Sequence, residues 1–177
     1  FQLLTPIRHG KFGVVGLNQL VEKQLGIQGK WYAGRPVMIM QNDNNTQLYN
    51  GDVGLCLPSQ RHQGQLRVFF QQGNTLRSFI PSRLPAHATS FAMTIHKSQG
   101  SEFGQVMIVL PDGMDGTKDS SDRVNYGQDV SLLTKELLYT AITRGKKRVS
   151  LMANEKVLRE MIQANVSRNS GLANRLT

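Results

Sequence analysis

Only one cysteine, Cys56, occurs in 177 residues, so no disulfide can close within the chain. It sits in the apolar run Val53 to Leu57 and reads as a small buried hydrophobe, compatible with a reducing compartment. His9, His62, His87 and His96 are scattered singly, and no Cys/His cluster has ligand spacing, so no structural metal is expected. No apolar run approaches the roughly 20 residues of a membrane span, and no charged-then-apolar leader is present. A soluble cytoplasmic protein with no membrane partner is expected. Acid is scarce as well: 12 Asp and Glu face 21 Lys and Arg, a net charge of +9. That balance favours a polyanionic partner through phosphate contacts and counterion release, a trait that ribosomal and membrane-surface proteins share.

Two further absences bear on chemistry. No GxxxxGK[ST] phosphate loop occurs, and no strand ends in the paired acids that would hold Mg²⁺. The chain also opens at Phe1 without an initiator methionine and runs straight into Leu3 and Leu4, as a fragment cut at the start of a strand would.

The order of elements is legible in the apolar pattern. A short strand at the start gives way to a loop with Gly10, Gly13 and Gly16, then a helix from about Leu17 to Leu25 that Gly26 would end. The glycine spacing matches neither the phosphate loop nor the dinucleotide fingerprint. From Trp31 to Pro85 short apolar runs alternate with turn signals: Val37 to Met40, Leu48 and Tyr49, Val53 to Leu57, Leu66 to Phe70 and Leu76 to Ile80. About five strands of this kind predict a small SH3-like β-barrel, inserted as residues 30–85 into a larger α/β unit of residues 1–29 and 86–177. Phe69, Phe70 and Phe79 offer stacking surface for bases, with core packing the expected use of at least two. The larger unit resumes with strands Phe91 to Thr94 and Gln105 to Leu110, a parallel-sheet rhythm. Residues 111–128, rich in Asp, Gly and Ser, read as a long loop. Asp112, Asp115, Asp119 and Asp122 miss the calcium-loop spacing and read as solvated. A helix from about Val130 to Thr143, a strand from Arg148 to Met152, a helix from about Glu155 to Ala164 capped by Asn154, and a polar tail from Asn165 complete the chain.

Two stretches carry chemistry. Thr94 to Phe103, TIHKSQGSEF, crowds hydroxyls, an imidazole, an ammonium, an amide, a glycine and a carboxylate into ten residues between apolar strands. It is either a solvated connection or a ligand loop, in which Gly100 lets backbone amides approach a phosphate. In Glu136 to Leu151, ELLYTAITRGKKRVSL, a helical face runs out at Thr143, Arg144 and Gly145. Arg144 either complements the helix dipole, with Gly145 as a left-handed cap, or reaches a ligand, and spacing does not choose between them.

Together TIHKSQGSEF and LLYTAITR resemble the fifth and sixth signature motifs of superfamily 1 DNA helicases. The flanking phrases LTPIRHGKFGV, YNGDVG, SRLP and RNSGLA resemble the carboxyl-terminal part of the RecD family, the alpha chains of exodeoxyribonuclease V. The resemblance implies a RecA-like, P-loop-NTPase-type second motor lobe, a parallel sheet with helices on both faces. It also implies an ATP-dependent motor moving five-prime to three-prime on single-stranded DNA, within a complex that unwinds and degrades broken duplex ends in repair and recombination. Carried over by position, Gln99, Gly100 and Glu102 face ATP, Arg144 is an arginine finger, and Arg8, at the place of the fourth motif, reaches the terminal phosphate. Thr94, His96, Lys97 and Ser98 lie on the DNA side. The implied partners are single-stranded DNA, the RecB and RecC subunits, and a missing amino-terminal half that holds most of the ATP and its Mg²⁺. A fragment with half an ATP site is expected to be inactive alone. A non-catalytic DNA-binding module and part of a stand-alone RecD-like helicase are the alternatives.

Overall fold

The computed structural model describes residues 1–111 and 134–163. In chain order the elements are β1 (Gln2–Thr5), α1 (Val14–Gln24), β2 (Pro36–Ile39), β3 (Val53–Pro58), β4 (Leu66–Gln72), β5 (Thr75–Phe79), β6 (His87–Thr89), β7 (Ala92–Thr94), β8 (Phe103–Val109), α2 (Lys135–Ile142), β9 (Gly145–Met152) and α3 (Glu155–Gln163). The acid-rich stretch 112–128, the start of the helix expected from Val130, and the tail from Asn165 lie outside the described residues.

β7, β1, β8 and β9 form a parallel sheet in that order. Side chains alternate across a strand, so each strand supplies both faces. Leu4, Met93, Val106 and Ile108 pack with Leu137, Leu138 and Ala141 of α2 and Val157 and Met161 of α3. Leu3, Ala92 and Val109 pack on the other face against Leu17 of α1. β1 is covered on both sides, and all four of its residues are buried. The helices therefore sandwich the sheet.

α1 is fixed at both ends and along its side. Gly26 takes φ +64° just past the helix, with its N–H donating to Lys23 O and that of Ile27 to Glu22 O. That pairing is the glycine stop expected from the sequence. The Asn18 amide donates to Ala92 O and accepts from Ala92 N, occupying backbone groups of the outer strand β7. At the amino end, Val14 N and Val15 N donate to Ile7 O and Arg8 O, so the preceding loop already uses these helix-end donors. Asn154 caps α3 through Lys156 N.

The second sheet is antiparallel with order β5-β4-β3-β2-β6. Its inner side buries Val37, Ile39, Leu48, Cys56, Val68 and Phe70. The expected barrel is corrected here: β5 and β6 are the two outer strands, they do not pair with each other, and no closed barrel forms. The reason lies in β6, which is three residues long and passes into β7 of the parallel sheet after only Ser90 and Phe91. Its exit is committed to the other sheet. Leu48 and Tyr49, read as a strand, make only an isolated bridge from Asp43 to Leu48. The fifth strand is His87–Thr89, which extends this sheet past residue 85.

Alternation sorts the three phenylalanines. Phe70 is 1% exposed and meets Phe79 edge-on at 5.9 Å between ring centroids. Phe69 sits opposite the exposed Leu55 on the outer side. Phe70→Ala would open a cavity where the sheet has little else to collapse into. Denaturant melts should show a loss of about 3 to 5 kcal/mol. A loss below about 1 kcal/mol would mean that this sheet does not depend on Phe70 for its core.

The two sheets are also joined to each other. Met38 of β2 packs into the main core beside Met93. The Glu22 carboxylate on α1 accepts from Tyr32 Oη at 2.7 Å and Thr89 Oγ1 at 3.1 Å. Burial, then the hydrogen bond to Glu22 and its charge, push the Tyr32 phenol well above its ordinary range.

Candidate functional site

The stretch 95–102 runs from the carboxyl end of β7 to the amino end of β8. β8 is seven residues long, so these two ends of the sheet stand about 20 Å apart. The stretch therefore has two ends with different neighbours.

At the first end, Thr94 closes β7 opposite Thr5, and its hydroxyl accepts from Lys97 N at 3.2 Å. Ile95 is buried, with its N–H donating to Thr5 O, while His96 is exposed. Ser98 is wholly buried and its hydroxyl donates to Ile95 O at 2.6 Å. It braces the turn from inside and does not face a strand. The Lys97 ammonium donates to Asn50 Oδ1 and Met40 Sδ, each at 3.3 Å, across to the second sheet. Burial pulls its pKa below the usual lysine range, and the nearby Arg8 charge lowers it further. Arg8 thus stands with Lys97, because β1 and β7 are neighbours and their carboxyl ends are level. It does not stand with Arg144.

At the second end, Gln99 and Gly100 are exposed, and Gly100 takes φ +81° with nothing among the described residues, its chain neighbours aside, within 4 Å of where a Cβ would lie. Such a backbone favours glycine, and the space before it is open. Glu102 pairs with Lys146 at 2.8 Å, both side chains more than half exposed. The hydrogen bond from Lys146 and its charge hold the Glu102 carboxyl below the usual range, with Arg144 adding to this. The Arg144 guanidinium donates from Nε to Thr140 O, from Nη1 to Ser101 O and from Nη2 to Thr143 Oγ1, all at 3.1 Å. Phe103 N donates in turn to Arg144 O at 2.8 Å. Arg144 thus closes its own helix and holds the polar stretch at once. A guanidinium has five N–H donors, so two remain for a ligand. Gly145 is not the left-handed cap allowed for from the sequence: it opens β9, and Thr143 is the cap residue.

Between the ends lies a cleft of about 390 Å³, lined by Lys97, Ser101, Glu102 and Phe103 on one side and Asp52 and Val53 of the second sheet on the other. The charged groups at the second end are a guanidinium and an ammonium, both donors, and one carboxylate that already accepts from that ammonium. This set suits an anionic phosphate. It does not suit a divalent cation, which prefers several unpaired oxygen ligands.

No family model matches the chain. Among individual proteins, it is 39% identical over 179 residues to the RecBCD enzyme subunit RecD of Haemophilus influenzae, covering 97% of the chain and 24% of that protein. To the RecD subunit of Mycolicibacterium smegmatis it is 36% identical over 181 residues, covering 99% of the chain and 29% of that protein. The chain belongs to the RecD family. The match falls in the carboxyl-terminal part of the RecD subunits, and the chain spans about a quarter of their length. A solved structure of Pif1 helicase from Bacteroides in complex with ADP-AlF3 and single-stranded DNA matches with a TM-score of 0.54 at 16% identity, over 98% of this chain and 44% of that one. At that identity the likeness concerns the fold, an α/β arrangement with a parallel sheet.

Three residues of this RecD-family chain escaped the sequence reading. Lys146 had no signal beyond its place in GKKR, because only the turn from α2 into β9 brings it to Glu102. Asn50 and Met40 lie more than forty residues before Lys97, and only the packing of the second sheet joins them to it. The YNGDVG phrase around Asn50 carries the family resemblance but no local signal for this contact.

Proposed function

We propose that the chain is the carboxyl-terminal motor lobe of an ATP-dependent DNA helicase subunit that moves five-prime to three-prime on single-stranded DNA in the repair and recombination of broken duplex ends. The larger α/β unit, residues 1–29 and 86–177, is the second RecA-like lobe, and residues 30–85 form the inserted unit, with β6 at the junction. One observation carries the reading: a single polar stretch has at one end the Lys97 ammonium, held by neutral groups and in no ion pair among the described residues, and at the other the Arg144 guanidinium hooked to Ser101. Gln99, Gly100, Glu102 and Arg144 face the nucleotide, which supplies the phosphoryl group whose transfer drives movement. Thr94, His96 and Lys97 face the DNA strand, with Arg8 beside Lys97 and Ser98 bracing the turn. A change at the phosphate then alters backbone placement at the strand through one continuous segment.

The remaining phosphate and Mg²⁺ ligands belong to an amino-terminal half of the longer protein, which the relatives' length supports. Their name, RecBCD enzyme subunit, supports RecB and RecC subunits as partners. Nuclease chemistry is not assigned to this segment.

The three bonds that fold Arg144 back on its own helix and loop favour one alternative, a DNA-binding module that no longer hydrolyses ATP. Expressed alone, residues 1–177 should show no ATPase and weak binding to single strands that falls steeply with salt. The full-length protein should hydrolyse ATP when single-stranded DNA is added. Salt-independent binding would sink the DNA reading, and a full-length protein without DNA-stimulated ATPase would sink the motor.

A further inference from the structure

We propose that Met40 and Asn50, in the connection between β2 and β3 of the second sheet, position the Lys97 ammonium for a phosphate of single-stranded DNA, which makes the inserted unit part of the strand contact. The inference rests on the reading of Lys97 as a DNA contact, and it adds two positioning residues to that contact.

The geometry is specific. An ammonium has three N–H donors. Two are held, by Asn50 Oδ1 and by Met40 Sδ, each at 3.3 Å, which leaves one to point outward. Both anchors are themselves fixed. Asn50 N donates to Asn42 Oδ1 at 2.8 Å, and the turn that carries it is closed by Tyr49 N to Asp52 Oδ2, by Asp52 N to Tyr49 O, and by Gly51 N to Ile39 O. Gly51 takes φ +99°, as the third residue of such a turn requires. Met40 N donates to Ala86 O at 2.7 Å, and its side chain packs against the main core.

The chemistry of the anchors indicates what the third donor is for. An amide oxygen and a thioether hold a cation in place without neutralising it, so its charge stays available to an anion. Among the described residues the ion pairs are Lys146 with Glu102 and Arg159 with Glu155, and neither involves Lys97 or Arg8. The neighbouring strands β1 and β7 end level with each other, and the positive charge of Arg8 adds to that of Lys97 at this end of the sheet. An anion bound at Lys97 relieves that repulsion, and a backbone phosphate is the anion that a strand brings.

The test uses the full-length protein and a labelled oligothymidine, with anisotropy measured across a salt series. Lys97→Ala should weaken binding and lower the slope of log affinity against log salt by about 0.7, the loss of one phosphate contact. Asn50→Leu and Asn50→Ala should each weaken binding about fivefold, the size of one hydrogen bond. In a Lys97→Ala background neither should have any further effect. Met40→Leu, which keeps the volume, should lose about twofold in the same dependent manner and serves if the Asn50 variants do not fold. An Asn50→Leu loss of equal size with and without Lys97, or no loss in any of the three variants, overturns the positioning role. Unchanged affinity and slope in Lys97→Ala would reject instead the reading that Lys97 meets DNA.

Discussion

Replacing Arg144 with alanine in the full-length protein, assembled with its partners, is expected to lower ATP turnover by about 10³ to 10⁵. Melting should shift little, since a helix-end cation is worth about 0.3 to 1 kcal/mol. The two figures separate the roles that the side chain occupies. Its bonds to Thr140 O and Thr143 Oγ1 close the helix, and a protein that lost only these would be slightly less stable and fully active. Its bond to Ser101 O holds the stretch that leads to Gly100, and its two remaining donors are free for charge developing on a phosphoryl group. Arg144→Lys keeps the charge but cannot hold Ser101 and a phosphate in one plane, so it should recover little. DNA binding should persist in both variants. Any motor in a partner subunit has to be inactivated first, because its turnover would hide the loss. Near-normal turnover in Arg144→Ala, with a small drop in melting temperature, would leave Arg144 as a helix cap and favour the non-catalytic alternative.

What the sequence conveyed, and what it did not, follows from the range of each signal. Apolar runs placed β1, β7 and the buried Val106, Ile108 and Val109 of β8, because burial is written into composition, whereas β9 is an outer strand with most of its residues exposed. Gly26 and Asn154 announced helix ends through local backbone chemistry. Closure of the second sheet was not legible, because it depends on which outer strands meet, and backbone pairing leaves no mark on side chains. His87–Thr89 carries almost no apolar signal, yet it pairs with β2, while Leu48 has the signal and packs inward from a turn. The buried state of Ser98 was hidden for a related reason: a hydroxyl amid polar residues looks exposed until the turn at Ile95 folds it in. Arg8 is the most instructive residue. Its distance from Arg144 and its nearness to Lys97 depend on the strand order β7-β1-β8, which no local pattern encodes.

Gly100 offers the second large effect, because two roles predict different series of variants. If glycine is there only for φ +81°, residues should rank by their tolerance of that backbone, with Asn best, Ala worse and the β-branched Val worst. If glycine is there because a phosphate lies against it, any Cβ is harmful, and Asn should fare no better than Ala. The geometry favours the second role. Among the described residues, its own chain neighbours aside, nothing lies within 4 Å of the Cβ position, so the space is open to a ligand, beside a guanidinium with donors to spare. Gly100→Ala and Gly100→Asn are therefore both expected to raise the KM for ATP in the full-length protein. Turnover should fall by up to about 10², the penalty of a misplacement near 1 Å. Gly100→Val should lose stability as well, since it combines the Cβ with the strained backbone. Single-strand affinity without nucleotide should change little in Gly100→Asn, because the strand end of the loop is held separately through Thr94, Ser98 and Lys97. Full activity in Gly100→Asn beside impaired Gly100→Ala and Gly100→Val would reduce Gly100 to a turn residue and remove it from the nucleotide site.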